Sequence, residues 1–190
     1  VVLLACAPAR ADEIAEGLDR ARQLYEQGDL SGAITETGFA MTALHRRRSG
    51  LYAGLFPPAP SGWVLQHSAD DGTGGALAAQ MLGGGVMVER DYTTREGGGA
   101  IKATVIVDSP MIQALAAMAS NPALMGSGAR RIRIGNDNAI LQQENDSADM
   151  TLVRGSVAVK LEGSGLKDAA VLTQIMKGFD LAKLANPQGR

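Results

Sequence analysis

Residues 86–107 read VMVERDYTTREGGGAIKATVIV, and the fold turns on how this stretch is taken. Val86, Val88, Arg90 and Tyr92 alternate with Met87, Glu89 and Asp91; Ile101, Ala103, Val105 and Val107 alternate with Lys102, Thr104 and Ile106. A period of two sends successive side chains to opposite faces, so both runs are strands. Thr94-Arg95-Glu96-Gly97-Gly98-Gly99 between them is polar and glycine-rich, as the loop of a β-hairpin requires. A hairpin pairs its strands antiparallel, and that sets the sheet type.

Toward the C-terminus, Asp108-Ser109-Pro110 reads as a helix start, because a serine hydroxyl caps free N–H groups and proline suits the first turn. The helix carries Met111, Leu115 and Met118 on one stripe and is expected to stop at Asn121-Pro122. Short strands are expected over 132–135, 139–143, 150–153 and 157–161, with turns at 135–138 and at Arg154-Gly155. A last helix is expected from about 167 to 184, with Leu172, Ile175, Met176 and Phe179 facing inward. Toward the N-terminus, Trp63 opens another strand through about His67, and 76–82 suits a short helix closed by Gly83-Gly84-Gly85. The class is α+β: an antiparallel sheet of about six or seven strands covered by helices.

The first third reads as a helical hairpin over 12–56. Ile14, Leu18, Ala21 and Tyr25 recur at helical spacing, Gly28-Asp29 breaks the run, and a second helix from near Ser31 carries Ile34, Met41 and Leu44 on one face. Leu24-Tyr25, Gly28-Asp29 and Ala33 locally resemble a tetratricopeptide turn, but no second copy follows, and such repeats need about three units to bury a core. Pro57-Pro58-Ala59-Pro60-Ser61-Gly62 then separates the hairpin from an α+β domain over 63–190.

Residues 1–11, VVLLACAPARA, read as the remnant of a secretory signal peptide. Ala9 and Ala11 supply the small side chains that signal peptidase needs three residues and one residue before its cut. Leu3-Leu4-Ala5-Cys6 resembles a lipobox, so Cys6 is an alternative processing site at which lipidation would anchor the protein. The expected address is periplasmic, free or lipid-anchored. The apolar run is shorter than the about 20 residues that span a bilayer.

Composition narrows the rest. The 190 residues are 45% hydrophobic and 20% charged, with a net charge of −2 that gives no reason to expect nucleic acid. Aromatics are only 4%, so the core must be aliphatic. Cys6 is the only cysteine, so cleavage after Ala11 leaves no thiol for catalysis and no disulfide.

No residue pattern here defines a catalytic, metal or cofactor site, and no cofactor is expected. His45 and His67 lie far apart, without the spaced partners of a metal site. Ser109 sits between strand and helix, but Pro110 lacks the N–H that an oxyanion donor would need, so capping explains it. Gly83-Gly84-Gly85 precedes a strand and Gly97-Gly98-Gly99 lies in a hairpin, neither being the strand-to-helix setting of a phosphate loop. Arg46, Arg47 and Arg48 form a candidate anion patch, set against the simpler role of complementing a helix C-terminus; Arg130, Arg131 and Arg133 form a second. Met81, Met87, Met111, Met118 and Met125 cluster mid-chain; core filling is the simpler reading, and a partner groove at Met111, Leu115 and Met118 the sharper one.

From Trp63 to Leu184 the chain resembles uncharacterised exported bacterial proteins. The resemblance rests on the Pro60-Ser61-Gly62-Trp63 lead-in, the Val107-Asp108-Ser109-Pro110 step and the closing Phe179-Asp180-Leu181. More distantly, the order of elements is similar to the PsbP-like fold. The resemblance implies a non-catalytic binding or assembly factor of the envelope, with a protein or apolar partner. Two rivals make different demands. A carboxylate-dependent hydrolase would use side chains such as Glu89, Asp91 and Asp108; a structural protein dimerising through the hairpin would expose an apolar stripe on 12–44.

Overall fold

The computed structural model describes residues 12–67, 85–120 and 128–187. The chain is α+β, with one seven-stranded antiparallel sheet and helices that include an N-terminal pair. It divides into two compact units, 1–47 and 48–190.

The first unit is the helical pair. Helix α1 (Glu13–Glu26) starts where the Asp12 side chain accepts a hydrogen bond from the Ile14 N–H, with Glu13 and Glu16 favourably placed at the positive end of the helix. Gly28 turns the chain at φ 82°, and Asp29 accepts from the Gly32 N–H at 2.9 Å to start α2 (Leu30–Ala53). Ala21, Ala33 and Ala40 are buried between the helices.

The second unit takes in the last turns of α2 and the proline segment, because Tyr52 and Phe56 are buried in the sheet's core. The strands are β1 (Trp63–His67), β2 (Val86–Thr94), β3 (Ala100–Val107), β4 (Arg130–Ile134), β5 (Asp137–Glu144), β6 (Ser147–Arg154) and β7 (Val157–Ser164). Their order is β1-β2-β3-β7-β6-β5-β4. Central β3 and β7 pair in register from Val107↔Val157 to Ala100↔Ser164, joining the 86–107 hairpin to the C-terminal strands. The short strands β1 and β4 form the edges, and β4 carries exposed Arg130, Arg131 and Arg133, which discourage edge-to-edge pairing.

One sheet face makes the main core. Val105, Val159, Leu152 and Ala139 form one row across it, and Ala103, Leu161, Met150 and Leu141 the next; all are buried. Helices α4 (Ala170–Gly178) and α5 (Leu181–Ala185) cover this face with Leu172, Ile175, Met176 and Leu184. The single closing helix expected from sequence is therefore two. Phe179 is extended (φ −73°, ψ 127°), and Asp180 caps a new helix by accepting from the N–H groups of Ala182 and Lys183. The break lets Phe179 meet Phe56 edge-on at 5.5 Å, with the Arg90 guanidinium on the Phe56 ring at 5.7 Å. Nearby, the buried Tyr92 hydroxyl donates to the Pro57 carbonyl at 2.7 Å, and burial pushes its pKa up.

The opposite face is divided. Helix α3 (Met111–Ser120) covers one end, where Ile112 packs on Ile106 and Ala158. Ser109 caps α3 as expected, accepting from the Met111 N–H at 3.3 Å. Beyond α3 the same face turns polar: Asp91, Lys102, Glu162, Asp149 and Gln142 follow one another across five strands. The expected 76–82 helix and the Asn121-Pro122 stop lie outside the described residues.

Candidate functional site

The hairpin is built from two kinds of spacing at once. Small residues set the contact between its helices: a Cβ on Gly17 would lie 3.3 Å from the Ala40 Cβ, and Ala21 and Ala33 continue the seam. Arg20–Glu36 (3.8 Å) and Arg47–Asp12 (3.2 Å) ion pairs bridge the helices beside it. Large apolar residues follow a second line. Ile14, Leu18 and Tyr25 on α1 recur at intervals of four and seven, and Leu30, Ile34, Met41 and Leu44 on α2, with Thr37 among them, at intervals of four, seven and three. At about 100° per residue, each line runs roughly 70–90° round from the alanine seam, in the same rotational sense. In an antiparallel pair, equal rotation brings both lines to one side of the hairpin.

That side is open. Leu18, Tyr25, Leu30, Ile34, Met41 and Leu44 are between 46% and 73% exposed. The periodicity expected from sequence is present, and the face that carries Ile34, Met41 and Leu44 points outward. The alanine seam is too close to admit large side chains, so they turn outward. Contiguous exposed apolar surface on a folded protein marks an interaction site.

The other residues singled out in the sequence do not converge. Met111 and Leu115 are half-buried against the Ile106–Ile112–Ala158 cluster, so they fill a small core, whereas Met118 is exposed. Met111→Ser is expected to cost about 1–2 kcal/mol in chemical denaturation, by removing part of an apolar side chain from that cluster, and Met118→Ser less than about 0.5 kcal/mol. Equal losses at both positions would contradict this placement. Met87 joins the same cluster, and Met81 and Met125 lie outside the described residues, as do Cys6, Ala9 and Ala11.

The arginine run is divided by its partners. Arg47 pairs with Asp12, Arg48 pairs with Asp108, and Arg46 is exposed. The run also lies within α2 rather than in its last turn, since the helix continues to Ala53; complementing the helix C-terminus is not its role. Arg131 and Arg133 engage backbone carbonyls of Ser120 and Gly135.

Of the carboxylates named for a hydrolase, Glu89 and Asp91 are neighbours on one sheet face and Asp108 lies apart. Glu89 accepts from the Thr104 hydroxyl at 3.3 Å and lies 3.7 Å from the Lys102 ammonium, in the row next to Asp91. Asp108 follows the end of β3, six residues beyond Lys102, the partner of Asp91, and so lies about 20 Å away. The perturbed carboxyl is a different one. Asp149 stands opposite Glu162 on the polar sheet face, and partial burial and then the Glu162 charge raise its pKa, with Lys160 opposing. A raised pKa means the folded chain favours the protonated form. The stability Asp149 contributes is therefore present at low pH and lost as pH rises through the ordinary aspartate range near about 4 and beyond. Asp149→Asn should match the wild type in thermal melts at pH 3 and exceed it at pH 7. A lower melting temperature at pH 7 would contradict the sign.

A cleft of about 570 Å³ lies between the β2–β3 turn and the β7–α4 loop, lined by Trp63, Gly97-Gly98-Gly99, Gly165 and Val171. Its rim carries both charge signs, Arg95 and Lys167 against Glu96 and Asp168. The Gly97 run is thus the turn expected from sequence and also one wall of this cleft. His45 is half-buried on α2, and His67 ends β1. Among the described residues no group of three or more His, Cys, Asp or Glu is placed to hold a metal ion, and no helix is long and apolar enough to cross a membrane. Compared with known proteins, the chain matches no family model, no curated protein and no solved structure.

Proposed function

We propose that the protein is an exported, non-catalytic binding or assembly factor of the bacterial cell envelope, and that its helical hairpin is the docking arm. The observation that carries this reading is the open apolar side of the hairpin, with Tyr25 68%, Leu30 59% and Ile34 73% exposed. The Ala9-Arg10-Ala11 spacing supports export. The stripe favours the hairpin over α3 as the contact surface, because Met111 and Leu115 are already engaged with the sheet.

The test is capture from native envelope with the tagged protein, read by mass spectrometry. Proteins retained by the wild type should be lost with Ile34→Glu and kept with Met118→Ser. Loss with Met118→Ser and retention with Ile34→Glu would move the docking surface to α3. The same instrument reads the mature N-terminus: Asp12 means a free periplasmic protein, and a lipidated Cys6 means an anchored one.

A further inference from the structure

We infer that the occupant of the hairpin's open side is a second copy of the same hairpin, the two closing into a four-helix bundle. This rests on the docking-arm reading and adds the identity of the partner.

The spacing suits a helical partner. Intervals of three, four and seven fit the 3.5-residue repeat of helices that pack at a shallow left-handed crossing. Both helices carry it on one side, so the hairpin presents two of a bundle's four helices. The seam residues fix the levels: Gly17 lies beside Ala40, Arg20 beside Glu36 and Asp12 beside Arg47. At those levels the large side chains of α2 fall between those of α1. A two-fold axis parallel to the helices sets α2 of one copy against α1 of the other. Leu30 and Ile34 then flank the partner's Tyr25, Met41 and Leu44 flank the partner's Ile14, and Thr37 lies beside the partner's Leu18. The stripe is thereby self-complementary, as a closed two-fold interface demands.

Size and polarity agree. At roughly 100 Å² of exposed surface each, the side chains from Leu18 to Leu44 named above supply about 600 Å² per copy before any rim, close to the about 800 Å² per partner of a standard stable interface. The one polar residue in the α2 stripe is ready for burial: the Thr37 hydroxyl donates to the Ala33 carbonyl at 2.7 Å and leaves no unpaired donor. Among its described residues the unit has only a thin core. Ala21, Ala33 and Ala40 are its buried apolar residues, and helices gain most of their stability from packing an apolar face.

Sedimentation equilibrium on the full chain tests this, with Phe39→Glu as control, because Phe39 is exposed but about 180° round α2 from the stripe. The wild type should sediment at twice the 19.7 kDa of the chain. Leu30→Glu and Ile34→Glu should each weaken association at least 100-fold, and Phe39→Glu less than threefold. If the glutamate variants fail to fold, Ile34→Ala with Met41→Ala should still weaken it at least tenfold. A wild type monomeric at about 100 µM overturns the inference, as does a dimer that survives Ile34→Glu or is lost equally with Phe39→Glu. A monomer whose envelope capture still depends on Ile34 would leave the docking arm standing and give it a different occupant.

Discussion

Leu172→Ala lowers the unfolding free energy of the sheet unit by about 2–5 kcal/mol, measured by chemical denaturation. Leu172 is fully buried on α4, in the core that also holds Ile175, Met176 and the central strands. Removing its branched end loses apolar burial and leaves a cavity that close-packed neighbours cannot collapse to fill. A loss of that size is a large share of the about 5–15 kcal/mol that holds a typical domain folded. Ile34→Ala removes as bulky a side chain from an exposed site and should leave the unfolding free energy of the sheet unit within about 0.5 kcal/mol of wild type. A Leu172→Ala cost below about 1 kcal/mol would mean that α4 does not cover the sheet as described.

Gly165→Ala is the second large effect. Gly165 has φ 64°, and a Cβ there would collide with the Gly98 carbonyl oxygen and lie 2.9 Å from its carbon. The β7–α4 loop and the β2–β3 turn meet backbone to backbone, and neither can yield as a flexible side chain would. The left-handed conformation costs a non-glycine residue about 1–2 kcal/mol, and forcing the loops apart adds about 1–3 kcal/mol. Gly155→Ala separates the two contributions, because Gly155 has φ 58° and nothing within 4 Å of its added Cβ. It should cost only the backbone part. Equal costs at both positions would show that the loops do not touch, and the cleft beside Trp63 would lose its floor.

How far the sequence discloses this molecule depends on whether each feature is local. Alternation in 86–107 is local, because period two is a property of a single strand, and the hairpin, the strand positions and the Ser109 cap are readable from it. The break at Phe179 is not. The local apolar spacing of 172–179 continues as though one helix ran on, while the contact made at the break, Phe179 on Phe56, joins residues far apart in the chain. Direction is also non-local. The heptad spacing of Ile34, Met41 and Leu44 is plain in the sequence, yet which way it points depends on the closeness of Gly17 to Ala40, which only the pairing of the helices reveals. The Asp149–Glu162 pair arises from β6–β7 register, and no spacing in the chain announces it. The signal that could have marked the hairpin's outward face was available: Gly17, Ala21, Ala33 and Ala40 form a second, small-residue line beside the large one.

In the function proposed above, the protein acts through the open side of its hairpin. Photo-crosslinking in the intact envelope tests it most directly, with a photoreactive residue placed singly at Ile34, Met41, Phe39 and Lys102. Adducts are expected from positions 34 and 41 and none from position 39, on the opposite side of α2, or from position 102, on the polar sheet face. Adducts from position 102 or 39 with none from 34 and 41 would contradict it.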